Sequence, residues 1–236
     1  TLNYWYRPKL EVDSLIFEVI RGQSIDTAVV RIKDFKSDSL VFKPLSSDLK
    51  LQDSYIISAS TPLEYVDESK VRVMNKDSVF IKATMVLDPT SNSVVLDFDK
   101  TEKNSYEIQL LPTALTDFYG VQNDTLNFKA STKLQSSYGN VRIQIVNGVY
   151  PLIIQMTTEK GDVVEEKIAL NQTPIDFTEF DTGVYFLRVV FDSNKNGTYD
   201  PGNYLLKRQS ERVSYYPEPI EVRADWSYPI EFILND

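Results

Sequence analysis

Hydrophobic and polar residues alternate with a period of two along most of this chain. Successive side chains of a β-strand point to opposite faces, so this alternation predicts strands with one buried and one exposed face. The runs are rich in β-branched and aromatic residues, and turn residues separate them about every 8 to 12 positions, the spacing of β-sandwich proteins. The clearest runs are residues 14–20, 26–32, 93–98, 105–111, 124–129 and 140–146. The pattern predicts an all-β fold of tandem antiparallel β-sandwiches.

Two short stretches predict the limits of the domains, the first because a new set of strands starts there and the second because it is a polar run between strands. The first stretch begins at Leu51 and runs to Ser54, and the second runs from Ser131 to Tyr138. They divide the chain into residues 1–50, a strand-rich segment or partial Ig-like sandwich, residues 51–132, an Ig-like sandwich, and residues 133–236, a second sandwich. Low-complexity tracts are absent from the sequence, which favours close-packed modules over domains on flexible linkers.

Composition excludes several classes of function. The 236 residues include no cysteine and no histidine, which removes thiolate chemistry, the histidine-based catalytic triads and the commonest zinc ligand. The net charge of −9 argues against nucleic acid and anionic membrane surfaces, because contact with phosphate requires clustered Lys and Arg. No two glycines form a G-x-G motif, so phosphate-binding loops are not expected. The chain starts at Thr1 without Met or a signal peptide, and we expect a processed or truncated piece.

A candidate calcium loop follows the strand-like run that ends at Phe191. Oxygen-bearing side chains stand at alternate positions, with Gly197 at the sixth position, where a sharp turn is needed. In an EF-hand loop the twelfth residue is a bidentate Glu, whereas Asn203 stands there in this chain. The alternative is an Asx-rich turn that satisfies its own backbone without metal. The predicted structural Ca²⁺ ligands are Asp192, Asn194, Asn196, Thr198 (through its carbonyl) and Asp200.

The middle of the chain resembles the bacterial Ig-like domain first described in S-layer proteins. Residues 106–126 read as its closing strands, with Asp117 and Gly120 in the D-x-x-G motif followed by Asn-Asp-Thr-Leu. Val121 departs from the Asn that usually follows that glycine. Residues 62–71 are similar to the opening of the same domain.

The C-terminal part resembles a family of secreted Ig-like-domain lipoproteins from a Gram-negative phylum rich in surface lipoproteins. Residues 192–204 are similar to the family's D-x-N-G-N-G-x-W-D-x-G-N-Y motif, with Lys195 in place of Gly and Tyr199 in place of Trp. The resemblance implies a lipid-anchored outer-membrane protein whose anchoring cysteine lies upstream of Thr1. It also implies that the last domain is a transthyretin-like or carboxypeptidase-regulatory-like sandwich, and it supplies no catalytic residue.

Five triplets of Asp, then Ser or Thr, then an aliphatic residue resemble the O-glycosylation acceptor of the same bacterial group. Composition alone predicts about one or two such triplets. The alternative is that Asp-Ser and Asp-Thr are turn residues that lead into strands. The predicted acceptors are Ser14, Thr27, Ser39, Ser78 and Thr125.

Two further groups near the C-terminus have more than one interpretation. Exposed aromatic residues stack on sugar rings, but aromatic residues more often close a sandwich core or a domain interface; the group here is Tyr215, Tyr216, Trp226 and Tyr228. Alternating charges predict a cross-strand ladder of ion pairs, with an anion site as the alternative; these charges belong to Arg208, Glu211, Arg212, Glu221 and Arg223.

These observations predict a non-enzymatic C-terminal part of a surface lipoprotein. The predicted role is a structural or docking subunit of an outer-membrane protein complex, at the cell surface or the periplasmic face, with membrane attachment only through the upstream lipid anchor. The alternative is a glycan- or adhesin-type binding module. An enzyme is the least supported class, because the sequence lacks His, Cys and a phosphate loop.

Overall fold

The computed structural model of this protein describes residues 5–6, 12–22, 24–31 and 39–234. Parts of the predicted 1–50 segment, including Asp38 of one Asp-Ser-aliphatic triplet, lie outside these residues. The chain divides into two compact units, residues 1–132 and residues 133–236.

The first unit contains a sandwich of two sheets and a separate hairpin. One sheet has the strand order β3-β5-β10-β9, the other has the order β4-β13-β11-β7-β8, and β6 pairs with β12. Strand β4 runs parallel to β13, whereas the other described pairings in this unit are antiparallel. The strands are β1 (Ser14–Arg21), β2 (Ser24–Arg31), β3 (Phe42–Pro44), β4 (Asp48–Leu49), β5 (Tyr55–Ala59), β6 (Leu63–Val66), β7 (Val71–Asn75), β8 (Phe80–Ile81), β9 (Ala83–Asp88), β10 (Ser93–Phe98), β11 (Ser105–Leu110), β12 (Leu115–Asp117) and β13 (Leu126–Thr132).

The core of the first unit lies between its two larger sheets. In β11 the side chains of Tyr106, Ile108 and Leu110 are buried, whereas the alternate positions are exposed or half-buried. In the other sheet, Val94 and Leu96 of β10 are fully buried in the same core cluster. Complete burial of one such side chain stabilises the fold by about 1.5–3 kcal/mol. Alternation places several of these side chains on the same face of a strand, so that face turns towards the core.

The hairpin of β1 and β2 forms a two-stranded sheet of its own. Its register places Ile16 opposite Val29 and Ile20 opposite Ile25. Residues four apart in a strand share a face, so the two pairs lie on the same side of the hairpin. All four side chains are between 65 % and 69 % exposed. We call these four residues the hairpin apolar face. A two-stranded hairpin is marginally stable at best in water. Contact of another surface with this face would therefore stabilise the hairpin.

The second unit is a sandwich of one three-stranded sheet and one larger sheet. The first has the order β17-β14-β21, and in the second, with the order β16-β15-β18-β19, strand β20 also pairs with β18. Strand β21 runs parallel to β14, although most described pairings are antiparallel. The strands are β14 (Gly139–Val146), β15 (Leu152–Thr157), β16 (Val163–Ala169), β17 (Ile175–Phe180), β18 (Gly183–Phe191), β19 (Val213–Tyr215), β20 (Ile220–Val222) and β21 (Ser227–Ile233).

Strand β15 is the most enclosed strand of the second unit, and all six of its residues are buried. Its polar residue Gln155 donates a hydrogen bond to Glu166 of β16 and accepts one from Arg188 of β18. A buried amide is costly without partners, so these bonds tie three neighbouring strands together. On the other sheet, β14 begins with glycine because a Cβ atom at Gly139 would lie 2.5 Å from the carbonyl oxygen of Arg223.

The predicted all-β class and tandem sandwiches are confirmed. The helical content of the described residues consists of two 3₁₀ turns, Glu68–Lys70 and Gln135–Ser137. None of the helical segments in the described part of the chain has the length and apolar character of a membrane span.

The structure does not divide the chain at residue 50, where the sequence predicts a boundary. Strand β3 pairs with β5 and strand β4 with β13, so both belong to the sandwich of the first unit. The polar stretch after β4 is a tight turn, in which the Lys50 amide donates to the Asp53 carboxylate at 3.0 Å. Polar composition at this point marks a connection inside the sandwich and not a linker.

Candidate functional site

The predicted calcium loop is a compact connection that starts where β18 ends. Asp192 is only 3 % exposed, and its carboxylate accepts hydrogen bonds from the backbone amides of Asn196 at 3.1 Å and Gly197 at 2.9 Å. Gly197 has a φ of +73°, and a Cβ atom there would lie 3.0 Å from Cδ1 of Ile168. The loop therefore folds around the Asp192 carboxylate, and the positive φ favours glycine at the sixth position. A Cβ atom there would also require the partly exposed side chain of Ile168 to shift.

Asp200 closes the other end of the loop. Its Oδ2 atom accepts hydrogen bonds from the side-chain amides of Asn194 and, at 2.8 Å, Asn196. Its Oδ1 atom accepts one from the Arg208 guanidinium at 3.1 Å. The Asn194 hydrogen bond is the main cause that lowers the pKa of Asp200, and Asn196 and Arg208 add to it against some desolvation. The structure thus brings four predicted ligand residues together. The fifth, Thr198, donates its amide and hydroxyl to Oδ1 of Asn196 at 2.9 and 3.0 Å.

The residue types of this loop fit Ca²⁺, which prefers carboxylate and amide oxygens. In the present arrangement, however, the amide nitrogens of Asn194 and Asn196 face Asp200, and their oxygens accept backbone N–H groups. Calcium would have to compete with these hydrogen bonds for the Asp200 carboxylate. Within the described residues, no group of three or more Asp, Glu, His or Cys side chains is placed to hold a metal. Metal binding therefore stays a prediction.

Glu211 lies outside the predicted loop but binds it, whereas the charge pattern of the sequence predicts an ion-pair role for this residue. It is largely buried, and its carboxylate accepts hydrogen bonds from the Ser193 amide at 2.8 Å, the Ser193 hydroxyl at 3.1 Å and the Asp200 amide at 3.1 Å. One side chain thus binds the backbone near both ends of the loop. No spacing rule points to Glu211, because the chain reaches it only after a second excursion through residues 201–210.

The predicted cross-strand ladder of ion pairs is not formed by these residues. Arg223 donates to Glu221 at 2.8 Å, but the two residues are neighbours at positions i and i+2 of one segment, so the pair does not cross strands. Arg208 instead binds Asp200 of the loop, and the Arg212 guanidinium lies 3.8 Å from the centre of the Phe191 ring. The ladder fails because Glu211 turns inward to bind backbone amides.

The D-x-x-G motif of the first unit has a structural role. Asp117 is 1 % exposed, and its carboxylate accepts hydrogen bonds from the backbone amides of Tyr119 at 2.9 Å and Val121 at 2.8 Å. It also accepts one at 2.8 Å from the hydroxyl of Thr61, which is buried as well. Asn123 acts similarly, because its side-chain oxygen accepts a hydrogen bond from the Leu115 amide at 2.7 Å. The polar residues of the motif are therefore used to fix the backbone.

The predicted glycosylation acceptors all lie in described parts of the first unit. Thr27, Ser39, Ser78 and Thr125 are exposed, whereas Ser14 is half-buried and donates its hydroxyl to Asp13 at 2.9 Å. Thr27 pairs with Glu18, between the two apolar pairs of the hairpin apolar face. Accessibility fits an acceptor role, and the modification itself stays a prediction.

The C-terminal aromatic residues do not form one cluster. The ring of Tyr216 packs edge-on against Phe232 at 5.5 Å, which makes it part of the core. Trp226 is 57 % exposed and stacks on Tyr228, with ring centres 6.0 Å apart and planes 30° from parallel. Arg223 and Glu221 line the same shallow concavity as these two rings.

Comparison with known proteins gives matches at the level of solved structures. No protein-family model matches the chain, and no curated protein matches it. The TIE protein of Bacillus anthracis is 12 % identical over 85 % of this chain and 41 % of its own, with a TM-score of 0.27. The N-terminal part of the bacterial S-layer protein SbsC is 7 % identical over 78 % of this chain and 44 % of its own, with a TM-score of 0.38.

A third solved structure, BcpA, the major pilin subunit of Bacillus cereus, is 8 % identical over 92 % of this chain and 81 % of its own, with a TM-score of 0.29. This chain therefore spans less than half the length of the first two proteins. Two of the three are, by name, structural proteins of bacterial surfaces. Superpositions as loose as these carry no conclusion about function.

Proposed function

We propose that this chain is a non-enzymatic structural module of an extracytoplasmic bacterial surface lipoprotein, which docks onto an outer-membrane protein complex. The observation that carries the proposal is the hairpin apolar face. Each of its four aliphatic side chains is about two-thirds exposed, so burial of the exposed part against a partner would contribute about 1–2 kcal/mol per side chain. The two apolar pairs flank one polar pair, Glu18 and Thr27, so the face groups four exposed aliphatic side chains around a charge that a partner must match. Grouped exposed apolar residues mark interaction sites more often than scattered single residues do.

The backbone of the same hairpin supports docking. Among the described strands, β1 and β2 pair only with each other, so each presents one outer edge with backbone N–H and C=O groups that point away from the pair. Such edges accept a strand from another protein, and the side-chain face then sets the specificity. The expected partner surface therefore combines a free strand edge with an apolar patch that fits Ile16, Ile20, Ile25 and Val29.

The use of buried polar groups supports a structural role over an enzymatic one. Asp117, Asn123 and Glu211 are polar side chains in the motifs or beside the loop, and each binds backbone amides. Residues of this kind are the ones that an enzyme of this size would direct into a cleft. In this protein these side chains form hydrogen bonds that hold turns and loop ends.

A structural calcium ion belongs to the same proposal. The side-chain oxygens of Asp192, Asn194, Asn196 and Asp200, with the carbonyl of Thr198, would hold the ion. When bound, Ca²⁺ would supply a fixed positive charge that cross-links the loop, and the loop residues would keep the end of the sheet rigid.

Purification of the full-length protein with its partners tests the docking role. Affinity purification from detergent-solubilised outer membranes, followed by mass spectrometry, is done for the wild type and for the Ile20→Asp/Ile25→Asp variant. The matched control is Leu45→Asp/Val86→Asp, which changes two exposed aliphatic residues elsewhere in the first unit. We expect a stoichiometric membrane protein with the wild type and the control, and its loss with the hairpin variant. A wild-type protein that is recovered alone contradicts the proposal, as does a hairpin variant that keeps its partner.

The second candidate is a glycan-binding module, and the exposed Trp226 favours it. An exposed indole ring beside hydrogen-bonding groups such as Arg223 and Glu221 is the usual composition of a sugar-binding surface. A glycan array with the wild type and Trp226→Ala tests it: binding that the variant loses supports this function, and the absence of wild-type binding removes it.

A further inference from the structure

The most exposed hydrophobic residues of the described chain lie in one turn of the second unit. Tyr204 is 95 % exposed, Leu205 is 89 % and Leu206 is 73 %. The first two values are the highest among the large hydrophobic side chains that the structure describes. Three consecutive apolar residues at this exposure form a protruding apolar tip, which we call the Tyr204–Leu206 tip.

The tip is a turn that specific hydrogen bonds hold in place. The backbones of Asn203 and Arg208 exchange two hydrogen bonds, at 2.8 and 3.0 Å, and close the turn at its base. The side chain of Asn203 accepts a hydrogen bond from the Leu206 amide at 2.9 Å, and Lys207 has a φ of +50°. Arg208 also binds Asp200, which connects the tip to the loop before it. The fold therefore holds these apolar side chains in solvent by specific contacts.

Other exposed apolar residues share this end of the unit. Leu152, at the start of β15, pairs with Ala169 at the end of β16 and with Phe191 at the end of β18. Leu170 follows Ala169 directly and is 75 % exposed, and Val149 precedes β15 and is 68 % exposed. Both lie at the end of the sheet from which the chain leaves for the tip.

Positive charge accompanies this apolar end. Lys207 adjoins the tip, Arg208 lies at its base, and Lys195 lines a shallow concavity together with Leu170. The nearby acidic side chains are engaged: Asp200 binds Arg208, while Asp192 and Glu211 are buried and bind backbone amides. These three cations and three carboxylates balance in number, but outside the Arg208–Asp200 pair the carboxylates are buried and the exposed charges are those of Lys195 and Lys207. The outward surface of this end is therefore apolar with two exposed ammonium groups, although the chain as a whole carries a net charge of −9.

We propose that the Tyr204–Leu206 tip, together with Val149 and Leu170 at the same end of the second unit, inserts into the headgroup region of a lipid bilayer. Consecutive residues of a turn point in diverging directions, and a fluid bilayer covers them all, whereas a preformed protein pocket must match each one. Lysine and arginine beside the apolar residues complement lipid phosphates at short range. The acidic remainder of the chain acts over longer distances, where salt screens it. The contact is shallow and reversible, and it does not depend on the lipid anchor or on the docking partner of the proposed function.

Flotation with vesicles tests this proposal on the 236-residue chain. The vesicles are phosphatidylcholine alone and phosphatidylcholine with phosphatidylglycerol at a ratio of about 3:1, in physiological salt. We expect binding to both, stronger with phosphatidylglycerol, and a loss of at least about tenfold in the partition coefficient for Leu205→Asp/Leu206→Asp. The control Leu45→Asp/Val86→Asp should bind as the wild type does.

A second readout reports on insertion itself. In the Leu205→Trp variant, on a Trp5→Phe/Trp226→Phe background, the new indole should shift its emission to shorter wavelength when vesicles are added. An unchanged spectrum, or wild-type protein that stays unbound at about 1 mM lipid, would overturn the proposal. Equal binding by the tip variant and the wild type would assign the contact to another surface. A tip variant that loses the protein partner but leaves vesicle binding unchanged would make the tip a protein-docking site.

Discussion

The Oε1 atom of Glu211 accepts a hydrogen bond from the backbone amide of Ser193 at 2.8 Å, across 18 residues of sequence. Its other oxygen accepts one from the Asp200 amide at 3.1 Å. A carboxylate that binds amides near both ends of a loop fixes the distance between them. Glu211 therefore holds the shape of the 192–200 loop from outside the loop itself, as Arg208 does at Asp200.

Replacement of Glu211 by Ala should destabilise the second unit by about 1–3 kcal/mol, because the backbone amides of Ser193 and Asp200 lose their carboxylate acceptor. Glu211→Gln keeps one acceptor oxygen and should cost less. Urea denaturation followed by Trp226 fluorescence, on a Trp5→Phe background, measures the change. The control is Glu221→Ala, which removes an exposed carboxylate paired with Arg223 and should leave the midpoint close to wild type. A Glu211→Ala midpoint equal to that of the control would contradict the role assigned to Glu211.

Calcium should stabilise the second unit if the loop binds it. With a dissociation constant of about 10⁻⁴–10⁻³ M, as in extracellular calcium modules, 5 mM Ca²⁺ would add about 1–2 kcal/mol. Differential scanning calorimetry with CaCl₂, with MgCl₂ and with EDTA measures this effect. Asp200→Asn should abolish the response to calcium, because it removes the carboxylate on which Asn194 and Asn196 converge. An identical melting temperature with calcium and with EDTA would leave the loop as a metal-free Asx turn.

Local patterns located several strands closely and others, such as β2 and β13, only within two or three residues at an end. The alternation at residues 93–98 predicts β10 to the residue, and the run at 140–146 misses β14 only by its first glycine. Packing of one face on a core produces this alternation, so it is visible in sequence. The parallel pairing of β14 with β21 was not predictable in the same way, because partners about 90 residues apart leave no mark on a local pattern.

The prediction of the candidate site has the same limit, because contacts between residues far apart in sequence are not visible in a local pattern. The spacing of Asp192, Asn194, Asn196 and Asp200 predicted that these residues converge, because alternate residues of a tight turn point to one side. Glu211 was assigned to an ion-pair ladder, since its neighbours in sequence are charged. Only the folded chain shows that the turn at residues 203–208 brings Glu211 back to the loop.

Asp117 should be among the most sensitive positions of the first unit. Asp117→Ala removes the acceptor of two backbone amides and of the Thr61 hydroxyl in a buried site, and we expect a loss of about 3–5 kcal/mol. Asp117→Asn should cost less, because its amide oxygen still accepts the backbone N–H groups and its NH₂ donates to Thr61. Urea denaturation with hydrogen exchange at Tyr119 and Val121 measures both effects. Equal losses for the two variants would contradict this assignment.

Tyr55 carries a buried hydroxyl that has no hydrogen-bond partner in the described structure. A buried polar group without a partner destabilises the fold, so Tyr55→Phe should leave the free energy of unfolding unchanged or raise it by about 1 kcal/mol. Burial raises the pKa of Tyr55 to about 12. In the unfolded chain the phenol ionises near pH 10, so the stability contribution of neutral Tyr55 is present below pH 10 and is lost as pH rises towards 12.

The free energy of unfolding of Tyr55→Phe, measured as a function of pH, separates the effect of the unpaired hydroxyl from the effect of its ionisation. Between about pH 8 and pH 11, the wild type should lose about 1 kcal/mol more stability than Tyr55→Phe, because only the wild type has this phenol to ionise on unfolding. Urea denaturation at both pH values gives the difference. Parallel losses in the two proteins would show that the Tyr55 hydroxyl reaches solvent or a partner.

Glycosylation of Thr27 and docking of a partner on the hairpin apolar face are two predictions that exclude each other, because both use the same face of the hairpin. Thr27 lies between the pairs Ile16–Val29 and Ile20–Ile25, on the face that the docking proposal assigns to a partner. A glycan at Thr27 would hold water over these side chains and prevent a partner from reaching them. We therefore expect protein recovered in the membrane complex to carry less glycan at Thr27 than protein recovered free.

Thr125 provides the internal reference for this comparison, because it is exposed before β13 and far in sequence from the hairpin. Peptide mapping by mass spectrometry of the bound and free fractions gives the occupancy of both positions. We expect Thr125 occupancy to be equal in the two fractions and Thr27 occupancy to be at least severalfold lower in the bound one. Thr27→Ala should then increase the amount of complex, since every molecule keeps an open face. Full glycosylation of Thr27 in the bound fraction would mean that docking uses another surface. The glycan would then be the group that covers the hairpin apolar face.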